Sequence, residues 1–180
     1  MENKKEIKSS RKLIIKIIIP LIIVIAIVGI WFIKNADKPP LVTSDNPDFS
    51  LHVTEEYDFE KLKSYGLPIM IDFGADYCPP CREMTPILVK LNQELQGKAI
   101  IKYIDVEKYP ELAQDYPISV IPTQVFFDKD GKPYVPTDAK ALGMIMYTSK
   151  DTGEHVFTVH EGIMIAEKVI TVLKEMGMEE

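Results

Sequence analysis

Ile69-Met70-Ile71-Asp72-Phe73-Gly74-Ala75-Asp76-Tyr77-Cys78-Pro79-Pro80-Cys81-Arg82-Glu83-Met84-Thr85-Pro86 is the stretch on which the reading of this chain turns. Ile69–Phe73 is apolar enough for a buried strand, and Met84 to Leu95 has helical spacing. Between them stand Cys78 and Cys81, the only two cysteines in 180 residues. A dithiol placed where a strand hands over to a helix suits redox chemistry. Cys78 falls at the helix's amino end, where unpaired N–H groups and the macrodipole favour a thiolate. Cys81 lies one turn on, within reach of a mixed disulfide formed at Cys78. The alternative is a degenerate or purely structural pair. Two sulfurs cannot fill a four-ligand zinc site, and His52, His155 and His160 are remote and lack ligand spacing. No metal or cofactor is expected.

Outward toward the amino end, residues 13–33 are apolar on every face but for Lys16. They reach about 32 Å as a helix, enough to cross a hydrocarbon core. Lys16 can snorkel at one end and Trp31 suits the other interface. Residues 1–12 carry Lys4, Lys5, Lys8, Arg11 and Lys12, whereas only Lys34 and Lys38 follow the segment closely. This basic excess predicts a cytoplasmic tail (1–12), a single-pass transmembrane helix (13–33) and an extracytoplasmic body in the cell membrane. A cleaved signal peptide is the competing reading, weakened by the poor cleavage site at Lys34-Asn35-Ala36. Residues 34–50, with Pro39-Pro40 and Asn46-Pro47, read as a stalk.

Residues 39–180 carry 24 acidic and 13 basic side chains. That balance argues against a nucleic-acid partner and against lying flat on an anionic membrane. About 140 residues suffice for one core and leave no room for a second comparable domain. One catalytic domain is expected over residues 51–180, and as a monomer. Helices are predicted over Glu55–Tyr65, from Met84 onward with a kink at Pro86, over Glu111–Tyr116 and over Met164–Met176. Strands are predicted over Ile69–Phe73, Ala99–Val106, Gln124–Phe127 and His155–His160. Residues 132–154 are too many for a hairpin connection. Either they decorate the surface or they form a partner-binding flap, with Met144–Thr148 as an added strand turning at Lys150–Gly153.

Several ordered motifs carry a resemblance. Asp72 to Pro86 resembles the active-site segment of thioredoxin-like proteins, and Ile121-Pro122-Thr123 matches that family's cis-proline loop. Lys102 and Asp105-Val106 match its next central strand, and Val159-His160-Glu161-Gly162 resembles the end of its last strand. The likeness covers residues 55–176 apart from 132–154. It implies an α/β thioredoxin-like fold, a mixed central sheet flanked by helices, here preceded by one transmembrane helix. It also implies that Cys78 attacks and Cys81 resolves. Asp72 would be the buried carboxylate that takes a proton from Cys81, with Lys102 as its supporting neighbour. Pro122 would carry the cis peptide, so that Ile121 and Thr123, with Tyr77 and Pro79, meet an extended substrate. Taken by residue type alone, Asp72 also fits a solvent-facing position, and Pro122 a trans proline at a strand start.

Gly74 and Tyr77 depart from the family, standing where cytoplasmic thioredoxins commonly have tryptophans. Losing that indole opens the site, and Asp76 adds a negative charge that opposes thiolate formation. Pro79 and Pro80 fix two φ angles and remove two N–H groups near the Cys78 sulfur. The chain is similar to membrane-tethered reductases. A membrane thiol carrier would be its electron donor, and exported disulfide proteins or apocytochrome c its substrate. A disulfide-introducing oxidant and a non-catalytic binding module are the alternatives.

Overall fold

Continuous hydrophobicity makes two central strands, β1 (Ile69–Gly74) and β2 (Ile100–Asp105), every residue of which is buried. They pair in parallel, Ile69 opposite Ile100 through Gly74 opposite Asp105. β3 (Thr123–Phe127) lies antiparallel on the other side of β1. β4 (Met144–Thr148) and β5 (His155–Glu161) complete a mixed sheet of order β2-β1-β3-β5-β4. The computed structural model describes residues 46–54 and 57–179, all within the compact unit Thr43–Glu180. The expected tail, the span 13–33 and the stalk up to residue 45 lie outside the described residues. Among the described residues no helix is long and apolar enough to cross a membrane.

Helices cover both faces. α2 (Pro79–Glu94) and α3 (Ala166–Glu175) pack Met84, Leu88, Leu91, Val169, Val172 and Leu173 on Met70, Ile101 and Phe126. Each such side chain fully buried contributes about 1.5–3 kcal/mol. α1 (Phe59–Ser64) sends Leu62 to the opposite face, among Ile69, Ile71, Phe73, Ile104 and Phe127. It begins later than residue 55 because Asp58 is its N-cap, accepting from Lys61 N–H at 3.0 Å. α2 passes through Pro86 unbroken. Pro86 and Arg82, whose carbonyl loses its partner there, both lie on the exposed side. The expected helix at Glu111–Tyr116 is a 3-10 turn, Pro110–Ala113.

Two segments are more firmly tied than the sequence suggested. Residues 46–50, assigned to the stalk, pack on the domain: Asp48 accepts from Tyr65 Oη at 2.6 Å and pairs with Lys61 at 2.7 Å. Asn92 Nδ2 donates to the Phe49 carbonyl at 2.9 Å. Residues 132–154 form the edge hairpin that the sequence predicted, β4 against β5 with Met144 opposite His160. Tyr134 roots the insertion, its buried ring beside Phe126 and its hydroxyl donating to Glu175 Oε2 at 2.5 Å. Alternation along β4 is incomplete: Met144 is buried, while Ile145 and Met146 are both exposed.

Candidate active site

Cys78 ends the loop after β1 in extended conformation (φ −80°, ψ 114°) and is the N-cap of α2. Pro79 and Pro80 occupy the first two helical positions, where a preset φ suits the helix. Neither has an N–H, so the first donor the helix offers is that of Cys81, directed at Cys78 Sγ over 3.2 Å. Cys78 and Cys81 form a disulfide with Cα atoms 5.3 Å apart. Cys78 is the more exposed of the two, at 5% against 1%. Its sulfur stands 3.6 Å from the Ile121 carbonyl oxygen, which brings the dithiol against the Pro122 loop.

The Ile121–Pro122 peptide bond is cis. Thr123 Oγ1 donates to the Val120 carbonyl at 2.7 Å, and Gly162 N–H donates to the Pro122 carbonyl at 2.8 Å. Ile121 packs on Ala75, Cys78 and Cys81. Tyr77, next in chain to Cys78, is 63% exposed, and Val120 and Ile163 add exposed apolar surface on the loops that flank Pro122. Pro79 is exposed and Pro80 half-buried.

Asp72 is fully buried. Burial pushes its carboxyl up to about 7, against the lowering effect of a hydrogen bond from Gln124. Gln124 Nε2 donates to Asp72 Oδ1 at 2.7 Å, whereas Oδ2 has no partner among the described residues. Lys102 is not the neighbour that the resemblance implied. The parallel register sets Lys102 beside Ile71 and Tyr103 beside Asp72. Side chains alternate across a strand, so the Lys102 ammonium leaves by the other face. There it donates to the carbonyls of Ser50 (2.7 Å) and Pro47 (3.2 Å), and burial lowers its pKa to about 8.

The space that Gly74 was expected to open is filled by that same Tyr103. A Cβ at Gly74 would lie 2.9 Å from Tyr103 Cε2 and 3.3 Å from Cys81 Cβ. Tyr103 is thus a wall of the site that sequence reading missed; its phenol is raised to about 12, chiefly by burial. Asp76 also differs from expectation: it is ion-paired with Lys108, which stands 3.3 Å from Asp105 as well, so its charge is offset in part. Gln124 and His160 were missed as site residues. The signal for Gln124 was a polar side chain leading into the apolar run Val125–Phe127, whereas His160 shares its strand with His155, Thr158 and Glu161 and carried no such signal.

The family model described as thioredoxin matches residues 50–146. Over 81 residues the chain is 33% identical to a thioredoxin of Rickettsia bellii, covering 45% of this chain and 76% of that protein. It is 40% identical over 74 residues to the chloroplastic thioredoxin Y of Oryza sativa subsp. japonica, covering 41% of this chain and 44% of that one. It spans only 38% and 42% of the length of two chloroplastic thioredoxins of Arabidopsis thaliana. A mutant thioredoxin from Halobacterium salinarum shares the fold, at 21% identity and TM-score 0.50 over 75% of this chain and 96% of that one. With a Cys78–Cys81 disulfide between β1 and α2, of a kind consistent with thiol–disulfide oxidoreductase activity, this chain belongs to the thioredoxin family.

Proposed function

We propose that the chain is a membrane-tethered, extracytoplasmic thiol–disulfide reductase whose working couple is Cys78–Cys81. The observation that carries the direction is the donor set at Cys78 Sγ: with prolines at the first two helical positions, one N–H serves a sulfur at a helix start. A sparsely stabilised Cys78 thiolate leaves the reduced form less favoured and the couple more reducing, because stabilisation of the reduced form is what makes strong oxidants of this type.

The placement of the groups supports one catalytic sequence. The Cys78 thiolate attacks a substrate disulfide, forms a mixed disulfide and expels one substrate thiolate. Cys81 passes its proton to Asp72 Oδ2, the buried oxygen that has no partner among the described residues, and attacks Cys78 Sγ. The Cys78–Cys81 bond re-forms as the second substrate thiolate leaves, to be protonated from solvent. Two electrons have then passed from the dithiol to the substrate. Ile121 and Thr123, around the cis peptide, offer backbone groups to an extended substrate, and exposed Tyr77 offers a ring.

Span 13–33 and its basic flank support the tether, and the acidic body supports a protein partner over nucleic acid. The partners that fit are a membrane thiol carrier as electron donor and exported disulfide proteins or apocytochrome c as acceptors. The deciding experiment is the potential of the couple in the full-length chain. A value well below about −180 mV is expected, and one at or above it would favour the oxidant reading. Full function in cells after replacement of both cysteines by serine would favour the binding-module reading.

A further inference from the structure

We propose that Gln124 is a positioning residue for the buried acid Asp72, held in its working orientation by His160 and, through His160, by Lys168. The register builds this arrangement. Tyr103, Asp72, Gln124, His160 and Met144 are successive cross-strand neighbours on β2, β1, β3, β5 and β4. They form one row across the sheet face that α2 and α3 cover. Three of the five, Asp72, Gln124 and His160, are polar groups at or below 8% exposure in a predominantly apolar layer.

The hydrogen bonds fix the amide's direction. Gln124 Nε2 faces three acceptors: Asp72 Oδ1 at 2.7 Å, the Gly162 carbonyl at 3.1 Å and Met84 Sδ at 3.3 Å. Its Oε1 faces His160 Nδ1 at 2.9 Å. Turning the amide over would set its oxygen against all three acceptors. His160 therefore donates from Nδ1, and its Nε2 is left to accept from Lys168 Nζ at 3.4 Å. An ammonium at that nitrogen opposes a second ring proton, in keeping with the lowered pKa of His160, caused first by burial and next by Lys168. Every donor in the chain then points from Lys168 toward Asp72.

Besides Tyr103 within the row, the groups that meet it are Met84 and, across neighbouring Gly74, Cys81 from α2, and Lys168 from α3. Gly143 of the insertion passes close by: a Cβ there would lie 3.7 Å from Lys168 Nζ and 3.8 Å from His160 Nε2. The consequence for chemistry is a division of labour on one carboxyl. Oδ1 is occupied by the amide, and Oδ2 is left as the proton acceptor. The amide also offsets part of the burial penalty on the anion, so Asp72 can ionise within the working pH range. Gln124 carries no proton itself.

The inference rests on reading Asp72 as the base for Cys81, yet its test needs no turnover. The Asp72 carboxyl is titrated by carbon-13 NMR in the oxidised full-length chain, assigned by its loss in Asp72→Asn. In Gln124→Leu the acid should weaken about tenfold, the equivalent of one charge-assisted hydrogen bond. In His160→Ala it should weaken too, because the amide is freed to turn, and that effect should vanish in the Gln124→Leu background. An unshifted titration in Gln124→Leu overturns the proposal. So does a His160→Ala effect that persists undiminished without Gln124, since it would then act on Asp72 directly. If Gln124→Leu does not fold, His160→Ala alone decides: an unchanged or strengthened acid overturns the proposal. A chain without reductase activity would leave this titration as informative as before, and an unshifted titration would leave the reductase reading standing.

Discussion

Pro80→Ala should make the Cys78–Cys81 couple more oxidising, and only where the thiols are ionised. N-cap side chains accept from the second or third helical N–H. Cys78 has the third, from Cys81 at 3.2 Å, and the proline at the second position denies it the other. Alanine restores that donor without leaving helical conformation. A hydrogen bond to a charged acceptor contributes about 1.5–3 kcal/mol. Sulfur is a diffuse acceptor, so a value at or just under the lower end applies, about 1.4 kcal/mol, or a tenfold stronger Cys78 acid. That energy stabilises the reduced form alone, and in a two-electron couple it raises the potential by about 30 mV. The full rise appears above both thiol pKa values, a fraction of it near neutrality, and none below them. Equilibration of the full-length chain with dithiothreitol or glutathione buffers, at neutral pH and again well above the thiol range, measures it. Pro79→Ala is the control, because an N–H at the first position is not directed at the cap side chain. A Pro80→Ala potential unchanged at high pH, or raised equally at both pH values, would refute the argument that missing donors set the poise.

Asp72→Asn should steady the fold at alkaline pH while slowing resolution of the mixed disulfide. The folded-state pKa of Asp72, raised to about 7, lies above its unfolded value. The stability contributed by protonated Asp72 is therefore full below about pH 4 and is lost as pH rises through about 7, roughly 4 kcal/mol in all. Urea unfolding across that window should show this slope in the parent chain and lose it in the variant; parallel profiles would mean that Asp72 is not held protonated. Gly74→Ala should destabilise by about 1–3 kcal/mol, because its Cβ would meet the Tyr103 ring at 2.9 Å. An unchanged thermal midpoint would show that the ring swings away freely. Tyr134→Phe should cost about 1 kcal/mol through the lost hydrogen bond to Glu175. Shortening 135–153 while keeping Tyr134 should spare reduction of a generic disulfide and impair that of the physiological partner. Equal loss of both would make the hairpin structural.

What was legible in the sequence was local. Cys78, Pro79, Pro80 and Cys81 are consecutive, so the strand-to-helix handover and the donor deficit at the sulfur could be read without knowing any tertiary contact. The edge hairpin was legible too, because Met144–Thr148 and His155–His160 flank a turn marked by Gly153. The partner of Asp72 was not. Strands buried on both faces lack the polar–apolar alternation that tells one face from the other, so β2 could not say whether Lys102 or Tyr103 stood beside Asp72. A one-residue difference decides between an ammonium and a phenol beside the acid. Yet a weaker signal was present. Asp72, Gln124 and His160 are buried polar residues on three strands, and each needs a hydrogen-bond partner in a largely apolar core. Once β1, β3 and β5 are known to be neighbours, placing the three in one row satisfies all of them. The charge on Lys168 then ends the hydrogen-bond chain at the half-buried start of α3, nearer to solvent than Asp72, Gln124 or His160, where an ammonium can keep part of its hydration.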